Sequence, residues 1–70
     1  MFAIVKTDSR KNVNENGAVI GVTKVYKTYK AALKYAFNQN ELFINKTLNF
    51  TFYVYDENKR ELYKPQAVQV

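Results

Sequence analysis

The chain has 70 residues and a formal charge of +5, with 47% apolar side chains and neither cysteine nor histidine. That length makes one small domain with a thin core, and the apolar content belongs to a folded chain rather than a disordered one. The missing residue types exclude disulfide staples and thiolate metal sites, and with them the commonest zinc ligand and the commonest general base.

Residues 2–7, FAIVKT, are rich in β-formers and are closed off by the polar run DSRKN, which predicts a first strand. Residues 8–17 form a loop ending in Asn16-Gly17, a strong turn signal. Its length leaves two arrangements: an open loop, or a tight turn at Asn16-Gly17 with Val13 on a weak first arm. Residues 18–26, AVIGVTKVY, are the second strand. Gly21 in its middle suggests a bulge or a close backbone approach.

The helical signal lies at residues 28–37, TYKAALKYAF. Thr28 is a suitable N-cap. Tyr29, Ala32, Leu33, Ala36 and Phe37 then recur at three- and four-residue steps, giving one apolar stripe. Asn38-Gln39-Asn40 reads as the C-terminus, Asn being able to take the left-handed cap conformation; alternatively Leu42, Phe43 and Ile44 extend the stripe by a turn.

Residues 48–55, LNFTFYVY, give the strongest strand. Leu48, Phe50, Phe52 and Val54 point one way, and Asn49, Thr51, Tyr53 and Tyr55 the other. So aromatic and uncharged a segment would aggregate at an edge and is expected to be central. Residues 56–59 make a turn, with Asn58 suited to positive φ. Residues 60–64 return as a fourth strand, stopped by Pro65. The expectation is thus a β-β-α-β-β order. It implies an α+β two-layer domain, a four-stranded antiparallel sheet with one helix packed on one face. The domain spans 1–65, and residues 66–70 form a tail, loose or a short edge strand. A strand order of 2-1-3-4 places the third strand centrally. The inner layer is expected to set Phe50, Phe52 and Val54 against Leu33, Ala36 and Phe37, joined by Ile4 and Ile20.

Charge is unevenly spread: residues 1–34 hold seven basic and two acidic side chains, and residues 35–70 hold four of each. Lys27 and Lys30 stand at the positive end of the helix dipole, where a cation costs about 0.3–1 kcal/mol. Lys30 and Lys34 repel one another four residues apart, and Lys24 lies just upstream. No acid falls between Glu15 and Glu41. Lysines in locally poor positions point to an anionic partner; the competing account is an AT-rich genome that favours Lys, Asn, Tyr and Ile. Lysines give phosphate contacts, and Tyr53 and Tyr55 on a sheet face can stack bases. No segment matches the aromatic signature of RNA-recognition sheets. Arg10 and Arg60 are the only arginines, so sequence-specific base readout is not expected. The helix lysines also belong to the opposite layer from the tyrosines, which keeps one nucleic acid from using both.

Catalysis is not expected. Ser9 near Lys11 is a weak nucleophile pair in a polar loop. Asp56, Glu57 and Glu61 surround a solvated hairpin turn that offers no walls. There is no glycine-rich phosphate loop. Asn45-Lys46-Thr47 and Asn49-Phe50-Thr51 match the glycosylation triplet, as chance does readily in an asparagine-rich chain. No signal peptide or membrane span is apparent, so the expected location is cytoplasmic. The expected function is non-enzymatic binding without a cofactor or metal. One route is nucleic acid or another anion at Lys24, Lys27, Lys30 and Lys34. The other is a protein-protein interaction or inhibitor module, of a size and composition common among small proteins of mobile elements. That module would act or dimerise through a face bearing Tyr53, Tyr55 and Val5, with Ala3 beside them.

Overall fold

A computed structural model describes residues 1–65; the expected tail at 66–70 lies outside the described residues. The chain forms β1 (Phe2–Asp8), β2 (Val19–Tyr26), α1 (Tyr29–Glu41), α2 (Phe43–Thr47), β3 (Phe50–Asp56) and β4 (Glu61–Tyr63). The strands make one sheet ordered β2-β1-β3-β4, antiparallel throughout. With α1 laid across it, this is the two-layer α+β arrangement, and β3 is central as its aromatic sequence requires.

The core is built where α1 crosses the middle of the sheet. Ile4, Phe52 and Val54 meet Ala32 and Ala36, all buried, with Phe2, Tyr26, Tyr35, Phe50 and Tyr63 packed around them. Ala32 and Ala36 are four residues apart and so occupy one helix face. Their small side chains let the helix backbone come close to the sheet. Leu33 and Phe37, expected to point inward, are only half-buried, because the alanines take the position directly over the strands.

Thr28 caps α1, its hydroxyl accepting from the Ala31 N–H at 3.3 Å. The helix continues past Phe37 to Glu41, since nothing in between breaks it, and ends where Leu42 turns extended at ψ 130°. Leu42, Phe43 and Ile44 do not lengthen the apolar stripe. They start the separate short helix α2, fastened by buried Asn45, whose Nδ2 donates to the Gln39 carbonyl at 2.8 Å and to Gln39 Oε1 at 3.1 Å. The Gln39 carbonyl, near the end of α1, also accepts the Leu42 N–H at 3.3 Å.

Several expectations shift in detail. Ile20 is 52% exposed rather than in the core. The pairing of β1 with β2 slips between Ile4/Val5 and between Lys6/Thr7, so Thr23 and Ile20 are each an extra residue on β2. Gly21 lies between the two irregularities, opposite Lys6, and no atom comes within 4 Å of the place its Cβ would take. Leu48 is exposed outside β3, as the C-cap of α2. Asn49 at φ 60° then redirects the chain into Phe50. In the last turn it is Arg60, at φ 56°, and not Asn58 that takes the left-handed conformation. Asp56 organises that turn: its Oδ1 accepts from the N–H of Asn58 at 2.9 Å and of Lys59 at 3.2 Å, and Arg60 N–H reaches the Asp56 carbonyl at 2.7 Å.

One side chain ties the helix to the sheet. β4 ends at Tyr63, and continuing its register would bring Pro65, which has no N–H, opposite Phe52. Asn40 takes that place. Its Oδ1 accepts the Phe52 N–H at 2.7 Å and its Nδ2 donates to the Phe52 carbonyl at 3.0 Å, as a neighbouring strand would. Replacing Asn40 by Leu strands both backbone groups and is expected to cost about 1–3 kcal/mol. For a domain of this size each kcal/mol lowers Tm by roughly 4–8 °C. Thermal unfolding followed by circular dichroism checks this, with Asn38→Ala, at an exposed position, expected to leave Tm almost unchanged.

Candidate functional site

Lys24 stands opposite Ile4 in the β1–β2 register, so its side chain emerges on the helix side of the sheet. Its Nζ lies 5.1 Å from the ring centroid of Tyr26 and 5.2 Å from that of Tyr35, within the range of cation–π attraction. The two rings are 5.7 Å apart and inclined at 47°. Beside them runs an open groove of about 310 Å³ lined by Tyr26, Ala31, Lys34, Tyr35 and Asn38. Lys30 is one helical turn before Lys34, and Lys27 occupies the short connection between β2 and the Thr28 cap.

All four lysines are exposed. Among the described residues the ion pairs are Arg10–Asp8 and Lys46–Glu41, and neither involves the four. The first turn of α1 holds no acid, so the lysines there add to the positive end of the helix dipole. The structure therefore joins Lys24 to Lys34 through two aromatic rings that the sequence reading did not single out. A signal was present: Lys24 and Tyr26 are two apart on a strand and share a face, while Ala31, Lys34, Tyr35 and Asn38 follow helical spacing.

Tyr53 and Tyr55 lie on the other side of the sheet, as their alternation with Phe52 and Val54 requires. Tyr53 stands opposite Val5 and Tyr55 opposite Ala3 on β1. Val5, 8% exposed, and Ala3 are buried although neither belongs to the helix-side core. The tyrosines beside them, with Val22 and Val25 of β2 on the far flank, cover the smaller side chains. The accessible surface of this face thus includes Tyr53, Tyr55, Val19, Val22, Val25 and Leu62 rather than Val5. The valines escaped the sequence reading because the two bulges break simple alternation along β2. A smaller apolar patch sits at α2, where Phe43 is 81% exposed next to Ile44 and Leu48.

The acids are drawn into structure. Three donors of Arg10, its Nε and Nη2 and its backbone N–H, reach the Asp8 carboxylate at 3.0, 3.1 and 3.0 Å and hold it at about 2. Asp56 is buried in its turn. Glu61 Oε2 accepts the Tyr63 hydroxyl at 2.6 Å. Tyr63 continues a row of edge-on rings with Tyr29 and Phe2, at 5.6 and 5.8 Å, beside an open cavity of about 580 Å³ that Asp56 and Lys59 also line. The glycosylation triplets fit this picture poorly: the Asn45 amide nitrogen is already donating to Gln39.

Comparison of the chain with protein-family models, with curated proteins and with solved structures gives no match.

The hydrogen bond to Glu61 pushes the Tyr63 hydroxyl up to about 12. Its ordinary value of 10 describes the unfolded chain, so the contribution to stability is complete below pH 10 and is lost as pH rises through about 12. Titration of tyrosinate absorbance is expected to show a last step near 12, which Tyr63→Phe removes and Glu61→Gln moves downward.

Proposed function

We propose that this protein binds single-stranded nucleic acid through the layer formed by β2 and α1. The observation that carries the reading is the position of Lys24 over Tyr26 and Tyr35, next to Lys34. Cations for phosphate and rings for bases then share one surface, a combination that favours single strands over duplexes. Lys27 and Lys30 extend the cationic track along the start of the helix. Tyr53 and Tyr55 have no part in this surface. With no arginine in it, contacts are expected to be sequence-tolerant.

Fluorescence anisotropy with labelled single-stranded and duplex oligonucleotides tests the proposal. If the four lysines each neutralise a phosphate, the slope of log affinity on log salt is about −3, a loss of roughly 50-fold between 50 and 200 mM salt. Joint replacement of Lys24, Lys30 and Lys34 by Glu is expected to abolish binding. Tyr35→Leu weakens single strands by roughly 5- to 150-fold, the worth of one stacked base, and leaves the salt slope unchanged. Absence of binding at 50 mM salt refutes the proposal.

A further inference from the structure

We infer that the cavity beside the β3–β4 turn is a binding site for a small, freely diffusing organic ammonium ion of about the size of choline. The turn around Asp56, Glu57 and Glu61, expected from the sequence to lack walls, has three. Phe2 from β1, Tyr29 from the first turn of α1 and Tyr63 from β4 line an open cavity of about 580 Å³, together with Asp56, Asn58 and Lys59. That volume falls within the ~300–1,000 Å³ of small-molecule sites, and a ligand of this size enters whole.

The rings and the carboxylate together select a cation. Tyr29 meets Phe2 at 61° and Tyr63 at 75°. Edge-to-face contacts leave ring faces uncovered, whereas stacking would hide them from the cavity. An aromatic face attracts a cation through its quadrupole, most strongly where water is excluded. Asp56 supplies the counter-charge. It is 6% exposed, and the hydrogen bonds it accepts from the Asn58 and Lys59 N–H groups both end on Oδ1. Among the described residues Oδ2 has no donor, and the ion pairs there do not include Asp56. No side-chain oxygen of those residues is both fully buried and unbonded, so Oδ2 keeps a little accessible surface. A charge so nearly buried is stabilised by a partner of opposite sign.

Other occupants fit less well. An anion would meet Asp56 and three electron-rich ring faces. A metal ion of the calcium type takes several oxygen ligands, and no group of three acidic side chains suited to one occurs among the described residues. Lys59, the cation on the lining, is exposed, so its ammonium group competes with the ligand for the rings without blocking the cavity. None of the six lining residues belongs to the β2–α1 surface, and the inference stands apart from nucleic-acid binding.

Nuclear magnetic resonance titration of the full chain is the test. The probes are choline chloride and the neutral alcohol in which carbon replaces the ammonium nitrogen. Choline is expected to bind in the millimolar range, to move the Phe2, Tyr29 and Tyr63 resonances, and to bind at least about tenfold more tightly than the alcohol. Asp56→Asn keeps an Oδ1 for the turn but removes the charge, and is expected to weaken choline at least about tenfold with the circular dichroism spectrum unchanged. Tyr29→Leu, at a 40% exposed position, also weakens it, while Lys59→Ala strengthens it by removing the competing cation. Absence of choline binding, or equal affinity for choline and the alcohol, overturns the inference. So does binding that neither Asp56→Asn nor Tyr29→Leu weakens. Phosphatidylcholine vesicles are expected to leave the protein in solution; cosedimentation with them overturns the assignment to a free ligand and makes the occupant a lipid headgroup.

Discussion

The Asn40 side chain and the backbone of Phe52 form the joint on which the arrangement depends. β3 is the strand through which the molecule communicates with both of its surfaces: Phe52 and Val54 face the helix, while Tyr53 and Tyr55 face away. Where β4 stops, the backbone of Phe52 would otherwise lose its neighbour, and a buried unpaired N–H or C=O is costly. An amide carries one donor group and one acceptor side by side, so asparagine substitutes for a strand residue. Because Asn40 belongs to the last turn of α1, the same bonds fix the rotation of the helix about its axis. Ala32 and Ala36 are thereby directed at the sheet, and the flank of Ala31, Lys34, Tyr35 and Asn38 at the groove beside β2.

That rotation separates two kinds of surface. The helix side sets Lys24 over the Tyr26 and Tyr35 rings, with Lys34 beside them. The open side carries valines, threonines, Tyr53, Tyr55 and Leu62 at its paired positions. The irregularities in β2 contribute to both. On either side of the first slip, Lys24 keeps its place opposite Ile4 on the helix side and Val22 its place opposite Val5 on the open side. A strand without the extra Thr23 would put one of them on the wrong face, since a shift of one residue reverses every side chain.

The carboxylates show how a small domain uses its few acids. Asp8 gathers Arg10 at the end of β1, Asp56 holds the turn into β4, and Glu61 fixes the Tyr63 hydroxyl. Each closes a local feature that 70 residues cannot stabilise with a large core. Since none of the three lies at the β2–α1 groove, the lysines there keep their positive field.

The local pattern of the sequence was sufficient for the strands, the Thr28 cap, the helix and the central place of β3. Periods of two and of 3.6 residues, turn residues and an aromatic, uncharged strand are signals carried by near neighbours. The exposure of Lys24, Lys27, Lys30 and Lys34 was legible as well, because it follows from residue type. Tertiary structure decided what depends on partners distant in sequence. The seat of α1 on the sheet was set by an asparagine whose bonds lie across the domain on β3, and the exclusion of Ile20 from the core by bulges that exist only through pairing with β1. The company of Lys24 with Tyr35 came from the docking of α1 on β2, and the concealment of Val5 from its register with Tyr53. Hydrophobic periodicity reports which residues seek burial. Register and helix rotation, fixed by long-range hydrogen bonds and close packing, determine which of them obtain it.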